Sequence, residues 1–457
     1  MPEANDTSLV SNESDAVALS ASEPAAKPAK KSALSFFTTI MTPLGNRNFL
    51  LLFSGQTTST MGDAFYAVAL PLIILTSGGS PQELGIVLAT YGVPRLITIL
   101  LGGILSDRIR PRWVMLIADI ARALLVGLLA FEVAGGHFSL LILLALVAGL
   151  GIFTGLFVPA TYSILPDILP KKELQAGNAL NSSMLQLATL IGSALAGIVI
   201  ARLQSQAALA IDALTFAVSA ITLAAMSRKP IVESTPQASS AANAESKDGS
   251  SATEAPLEPA EKNQTFGQFL RTSRLLQVTV LVVAVTFLAA GGTMGVALPA
   301  YALKTLAAGA NGYGIALAIF GAGELVGGLV AGGLGHLRHR PVIVLILQLG
   351  QAVTFAILPI FSNLGWVFIV LALAGLFNGL INVMYFTLIQ EMFPNRFMGR
   401  IWGIVMFATY GLYPLSVALG GFVTAQYGAW LMFQASGIAL AVAAVIGLLQ
   451  REIREIV

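Results

Sequence analysis

Cysteine is absent from all 457 residues, which excludes disulfides, thiolate metal sites and cysteine nucleophiles. Histidine is almost absent: only His137, His336 and His339 occur, and the last two fall in a basic loop where solvated side chains are expected rather than metal ligands. Charge is scarce as well. Asp, Glu, Lys and Arg make up 11% of the chain, against roughly 25% in soluble domains. Residues 1–34 are rich in Ala, Ser, Glu, Pro and Lys and lack an apolar leader core, so targeting is expected to rest on the first spanning helix. That composition reads as disordered.

What the chain has in quantity is apolar surface. Hydrophobic residues are 56%, glycines number 45 and the mean hydropathy is +0.81. No water-soluble core could hide that much, so the partner is the lipid bilayer. The net charge of +2 then describes where the bases are placed, and no nucleic-acid partner is expected. Apolar runs of roughly 20 residues mark membrane spans, and twelve are expected: about 48–76, 82–106, 112–135, 137–165, 174–202, 206–227, 276–304, 311–335, 341–361, 364–392, 399–425 and 429–450. The expected fold class is all-α and polytopic, with 12 transmembrane helices in two six-helix bundles. The expected divisions are an N-terminal segment (1–45), a first bundle (46–228), a flexible linker (229–270), a second bundle (271–450) and a tail (451–457). The linker assignment rests on the Ser, Ala, Pro and Glu content of Ser234 to Gln264, which cannot form a core.

Most lysines and arginines gather in alternate short loops or near the ends of the chain, among them Arg108, Arg110 and Arg112, then Arg338 and Arg340, then Arg396 and Arg400. The positive-inside rule places both termini and the linker in the cytoplasm, and a bacterial inner membrane is the expected location. The halves also repeat. "GGILSDRIRPRWVMLI" joins the second and third spans and "GGLGHLRHRPVIVLIL" the eighth and ninth, each with paired glycines, a basic turn and a proline suited to a helix's first turn. "PDILPKKEL" and "QEMFPNRFM" also match, with Asp167 and Glu391 three residues before a proline. Six-helix halves with the same loop chemistry are an internal repeat, as in secondary transporters.

Charges inside spans cost about 2.5–3.5 kcal/mol each and need reasons. Asp63 lies roughly 22 Å along the first span at 1.5 Å per residue, and Arg95 lies at comparable depth in the second. An Asp63–Arg95 pair facing a central cavity is expected, with Asp63 carrying a coupling proton; a permanent structural pair is the alternative. Glu324 falls eight residues before Gly332, as Arg95 falls eight before Gly102. It reads as a second proton or cation site, or as a buried acid satisfied by neighbouring helices. Asp119 and Arg122 share a helical face and are expected to brace a cytoplasmic gate with Asp167. Asp212, near the outer end of the sixth span, is expected to be structural. Gly103 suits close helix approach, as do Gly192, Gly197, Gly332 and Gly333. Asp107 can reach a helix N-terminus or an arginine, forming either a gate latch or a topology anchor. Phe65, Tyr66, Phe153, Phe157, Phe377, Tyr385, Tyr410 and Tyr413 could wall an amphipathic substrate or simply pack.

With Gly103, Asp107, Arg108 and Arg112 between the second and third spans, the chain resembles the major facilitator superfamily, whose signature there reads glycine, three residues, Asp-Arg, one residue, Gly-Arg-Arg/Lys. Arg110 stands at the usual glycine and Pro111 at a usual base, so the resemblance leaves the gating arginine role to Arg110 or Arg112. Glu391 and Arg400 join the gate set in the second half. A narrower likeness, over about 46–450, is to the twelve-spanning drug:proton antiporters that include macrolide efflux pumps and siderophore exporters. It rests on "RNFLLLFSGQTTSTMGDAF", "VPRLITILLGGILSDR", "IADIARALLVG" and "AIDALTFAVSA". In "LIGSALAGI", Ser193 replaces that branch's proline. The resemblance implies export of small amphipathic or lipophilic molecules in exchange for protons, by a chain that is not an enzyme, works as a monomer and needs no cofactor. No ATP-binding motif occurs. Siderophore or lysophospholipid transport, and a non-transporting receptor, are the alternatives.

Overall fold

The computed structural model describes residues 41–136, 139–227, 266–334, 339–393 and 397–451. The 1–40 segment, most of the expected linker and the tail after 451 lie outside the described residues. So do the surroundings of Gly103 and the side chains of Asp107 and Arg108, although the backbone there is helical. Every element among the described residues is helical, because a backbone in lipid must satisfy its own hydrogen bonds. The spans are α1 (Arg47–Thr76), α2 (Pro81–Arg108), α3 (Pro111–Ala134) and α4 (Leu140–Ile168). The helical stretch Leu174–Ala225 breaks at Gln204, whose φ of 67° is non-helical, giving α5 (174–203) and α6 (205–225). The second half holds α7 (Arg274–Thr305), α8 (Gly309–Gly333), α9 (Arg340–Ile360), α10 (Leu364–Met392), α11 (Met398–Tyr427) and α12 (Ala429–Leu449). A short helix, Phe266–Thr272, precedes α7 and begins inside the stretch expected as linker.

Polar caps fix where the apolar helices start. Asn46 Oδ1 accepts from the Asn48 and Phe49 amides at 2.9 and 3.2 Å, supplying an acceptor to donors the first turn leaves open. Its Nδ2 donates to the Ile168 carbonyl at 2.8 Å, tying α1 to the end of α4. Ser80 and Glu83 exchange side-chain to backbone bonds at 2.9 and 3.1 Å, a reciprocal capping box for α2. Pro111 opens α3, and Pro341 stands in the first turn of α9.

The molecule has a basic face, bearing the Arg110–Arg112 and Arg340 turns, and an opposite face. Toward the opposite face a single core runs through both bundles, joining Val68, Leu84 and Phe216 to Val296, Val417 and Phe433. Toward the basic face the core divides. Phe49, Met115 and Ile164 belong to the first half's cluster, and Leu276, Phe393 and Ile401 to the second's. Glycines allow the shared part to close. A Cβ on Gly85 would lie 2.5 Å from the Val417 carbonyl and 2.9 Å from Gly421 Cα, and one on Gly197 would lie 3.1 Å from Gly314 Cα. The bundles therefore meet through α2–α11 and α5–α8 at the opposite face and part toward the basic one.

Candidate functional site

Two cavities lie where the bundles diverge. The larger, about 590 Å³, is lined from the first half by Asp63, Tyr66, Tyr91, Arg95 and Thr154, and from the second by Phe287, Met294, Tyr313, Leu317 and Tyr413. A smaller one of about 270 Å³ is lined by Gln56, Asp63, Arg95, Arg122, Phe157 and Tyr410, among others. Asp63, Arg95 and Thr154 line both, so these groups stand at the junction. Asp63 is exposed to this space although it lies deep between the helices.

The expected Asp63–Arg95 ion pair is corrected. The ion pairs among the described residues are Arg122–Asp119 and Arg340–Glu391. The Arg95 guanidinium instead lies 5.6 Å from the Tyr91 ring and 4.9 Å from the Tyr410 ring. Tyr91 is one turn before Arg95 on α2, which aligns their side chains, while Tyr410 comes from α11 of the other half. Arg95 is thus a cation–π contact across the bundles. Tyr410 belongs to a π-helical stretch, Phe407–Gly411, and Met294 and Gly295 to another, Thr293–Ala297. Wide turns of this kind cluster at functional sites.

Asp119 and Arg122 are also corrected. They do not brace the basic face with Asp167; both are buried, at 0% and 2% exposure. The guanidinium is wedged between the rings of Phe157 and Phe216, 4.1 and 4.3 Å from their centroids, and bonds to Asp119. The other Asp119 oxygen accepts from Ser219 Oγ at 2.7 Å. Arg122 lines the smaller cavity together with Asp63 and Arg95. Asp212, expected near a helix end, is fully buried beside Gly62 at the depth of Asp63. Glu324 is elsewhere. It accepts from Asn382 Nδ2 at 3.3 Å, between α8 and α10, and is not among the residues lining the two cavities.

The basic-face charges form their own contacts. Arg112 Nε and Nη2 donate to the Leu223 and Ala224 carbonyls, both at 2.8 Å, so Arg112 caps the end of α6. Asp167 is exposed and within electrostatic reach of Arg110, and both line a basic-face hollow of about 480 Å³. Glu391 bonds to Arg340 of its own half, and Arg400 lies 5.6 Å from the Phe266 ring. Of the packing glycines, Gly192 meets the Met61 carbonyl and Ala64, and Gly197 meets α8. Gly332 and Gly333 are corrected, having nothing within 4 Å of an added Cβ. Gly102 makes the close approach to α4 at Leu156 and Pro159, 3.3 Å from each. Of the aromatic candidates, Tyr66, Phe157, Tyr410 and Tyr413 line cavities. Phe65 is core, Phe377 packs on Gly350 and Tyr385 bonds to the Thr279 carbonyl.

Two helical bundles around a charged, aromatic cavity define a polytopic membrane transporter. The Major Facilitator Superfamily profile matches residues 52–412 and 280–456, and the chain belongs to that family. It is 26% identical over 429 residues to the multidrug efflux pump Tap of Mycobacterium tuberculosis, covering 89% of this chain and 94% of the pump. It is 25% identical over 366 residues to the enterobactin exporter EntS of Salmonella typhi, covering 78% and 80%. A bacterial homolog of the human lysosomal transporter Spinster superposes with a TM-score of 0.64 at 15% identity, covering 89% of this chain and 97% of that one. The chain is a membrane transporter and not an enzyme.

Proposed function

We propose that this transporter exports small amphipathic or lipophilic compounds from the cytoplasm in exchange for protons, by alternating access. The observation that carries the reading is the junction at Asp63 and Arg95. An acid exposed to the cavity and a cation–π contact between the bundles share one space with the rings of Tyr66, Tyr91, Tyr313 and Tyr413. Aromatic walls bind flat apolar bodies with little specificity, while an acid there can exchange a proton as the cavity changes sides. The basic residues gather on the face where the bundles part, so by the positive-inside rule that face and both termini are cytoplasmic and the cavity awaits substrate from within. One charge moved through 100 mV yields about 2.3 kcal/mol, enough to drive roughly fortyfold accumulation. The likeness to a drug efflux pump supports the same reading. We propose the monomer as the working unit, since one chain encloses the cavity.

A second reading, siderophore export, is supported by the likeness to an enterobactin exporter and by Arg95, a fixed cation beside aromatic rings. Accumulation assays in an efflux-deficient bacterial host separate these readings. The panel is ethidium, macrolides, quinolones and catechol siderophores, with and without a protonophore, for the parent and Asp63→Asn. Lower accumulation with the parent alone, abolished by the protonophore, is the expected result. Equal export by both proteins would make Asp63 structural, and selective loss of siderophore alone would favour the second reading.

A further inference from the structure

We propose that Asp63 and Asp212 form a carboxylate pair sharing one proton, with Asp63 the member that meets the cavity and Asp212 the member hidden behind it. The proposal supplies the site for the proton-exchange reading above. Its first support is the seam between α1 and α6. A Cβ on Gly62 would lie 2.5 Å from Asp212 Oδ1 and 1.9 Å from Thr215 Oγ1, so glycine next to Asp63 is what lets the Asp212 side chain lie against α1. Asp212 is 0% exposed. Its Oδ1 has only a 3.5 Å contact from Thr215 Oγ1, and its Oδ2 has no hydrogen-bond partner. The Thr215 hydroxyl gives its short bond to the Asp212 main-chain carbonyl, at 2.7 Å, and so leaves the carboxylate without a close donor.

The charges facing the pair then have to balance. From α1 and α2 come Asp63, Tyr66, Tyr91 and Arg95, from α3 Asp119 and Arg122, from α4 Tyr162, from α8 Tyr313, and from α11 Tyr410 and Tyr413. Arg122 is engaged by Asp119, and Arg95 is held between tyrosine rings. Three carboxylates against two guanidiniums leave one negative charge, and with Asp119 and Asp212 fully buried and only Asp63 open to the cavity, that charge is costly to keep. One proton neutralises it. Independent of the acids, the Gln56 amide is 3% exposed and lacks partners at both Oε1 and Nε2, and the Tyr66 hydroxyl also lacks one. Gln56 lines the smaller cavity with Asp63. Buried polar atoms in this state mark room for water, and so a path along which a proton leaves cavity water, forms an O–H bond at Asp63 and is shared with Asp212. Release breaks that bond and returns the proton to cavity water.

The test uses the purified full chain in lipid nanodiscs and no substrate. Infrared titration follows the carbonyl stretch of protonated carboxyl groups with pH in the parent, Asp212→Asn and Asp63→Asn. Groups coupled by more than about one pK unit titrate as a pair, so removing either acid should weaken proton binding by the other about tenfold. Should Asp212→Asn fail to fold, Asp212→Ser and the cavity-facing Asp63→Asn read the same coupling. An Asp63 or Asp212 titration unmoved by loss of its neighbour overturns the pair. Protonophore-insensitive ethidium export would instead end the antiport reading and leave the pair standing.

Discussion

A charge inside a membrane protein is informed by what surrounds it, and here each has a different answer. Arg122 gains Asp119 and two aromatic faces, while Arg95 gains only tyrosine rings, one of them from the other bundle. The first arrangement is closed on all sides and belongs to the scaffold of one bundle. The second must change when the bundles move. Stability should respond accordingly. Removing one member of a buried pair strands the other and costs about 3–5 kcal/mol, while replacing both with apolar groups is often nearly neutral. Thermal unfolding of the purified protein should therefore show a large loss for Asp119→Leu and a smaller one for Asp119→Leu combined with Arg122→Met. If the double variant unfolds at the lower temperature, the pair is not the scaffold element described here.

At the scale of elements, the contacts that hold the bundles together are made by backbone rather than side chains. Gly85 against Gly421, and Gly197 against Gly314, bring helices close enough that a single methylene group would collide with a main-chain atom. In lipid there is little hydrophobic gain between helices, so close van der Waals packing of this kind drives association. Gly421→Leu should wedge α11 from α2 and disfavour the closed opposite face. The absence of native cysteine gives a direct readout, because Leu317→Cys in the cavity wall is then the only thiol. Labelling of that thiol by a membrane-impermeant maleimide from the opposite face should rise severalfold in the Gly421→Leu background, and an unchanged rate would show that the seam tolerates the side chain.

At the scale of the molecule, the spans, the repeat and the depth of Asp63 and Arg95 are legible in the chain because lipid forces long apolar runs and makes each interruption conspicuous. What cannot be read is which helices touch. Asp212 looks like a helix-end residue until α6 packs on α1 through Gly62, and Asp119 and Arg122 look like gate residues until α4 and α6 enclose them. The paired glycines at 332 and 333 draw the eye but face open space, whereas the lone Gly85 and Gly421 form the seam. That seam also tests whether transport requires it to close. It is too tight for a cross-link, since each added Cβ falls within 3.0 Å of the other's Cα, closer than the backbones of a disulfide sit. A methyl group there must instead push α2 and α11 apart. Ethidium export should fall in Gly85→Ala and in Gly421→Ala, and further in the double variant, whereas Gly332→Ala, whose added Cβ meets nothing within 4 Å, should export like the parent. A double variant that is present in the membrane and exports at the parental rate would mean that transport does not need the α2–α11 seam to close, and the alternation would have to run along α5 and α8 alone.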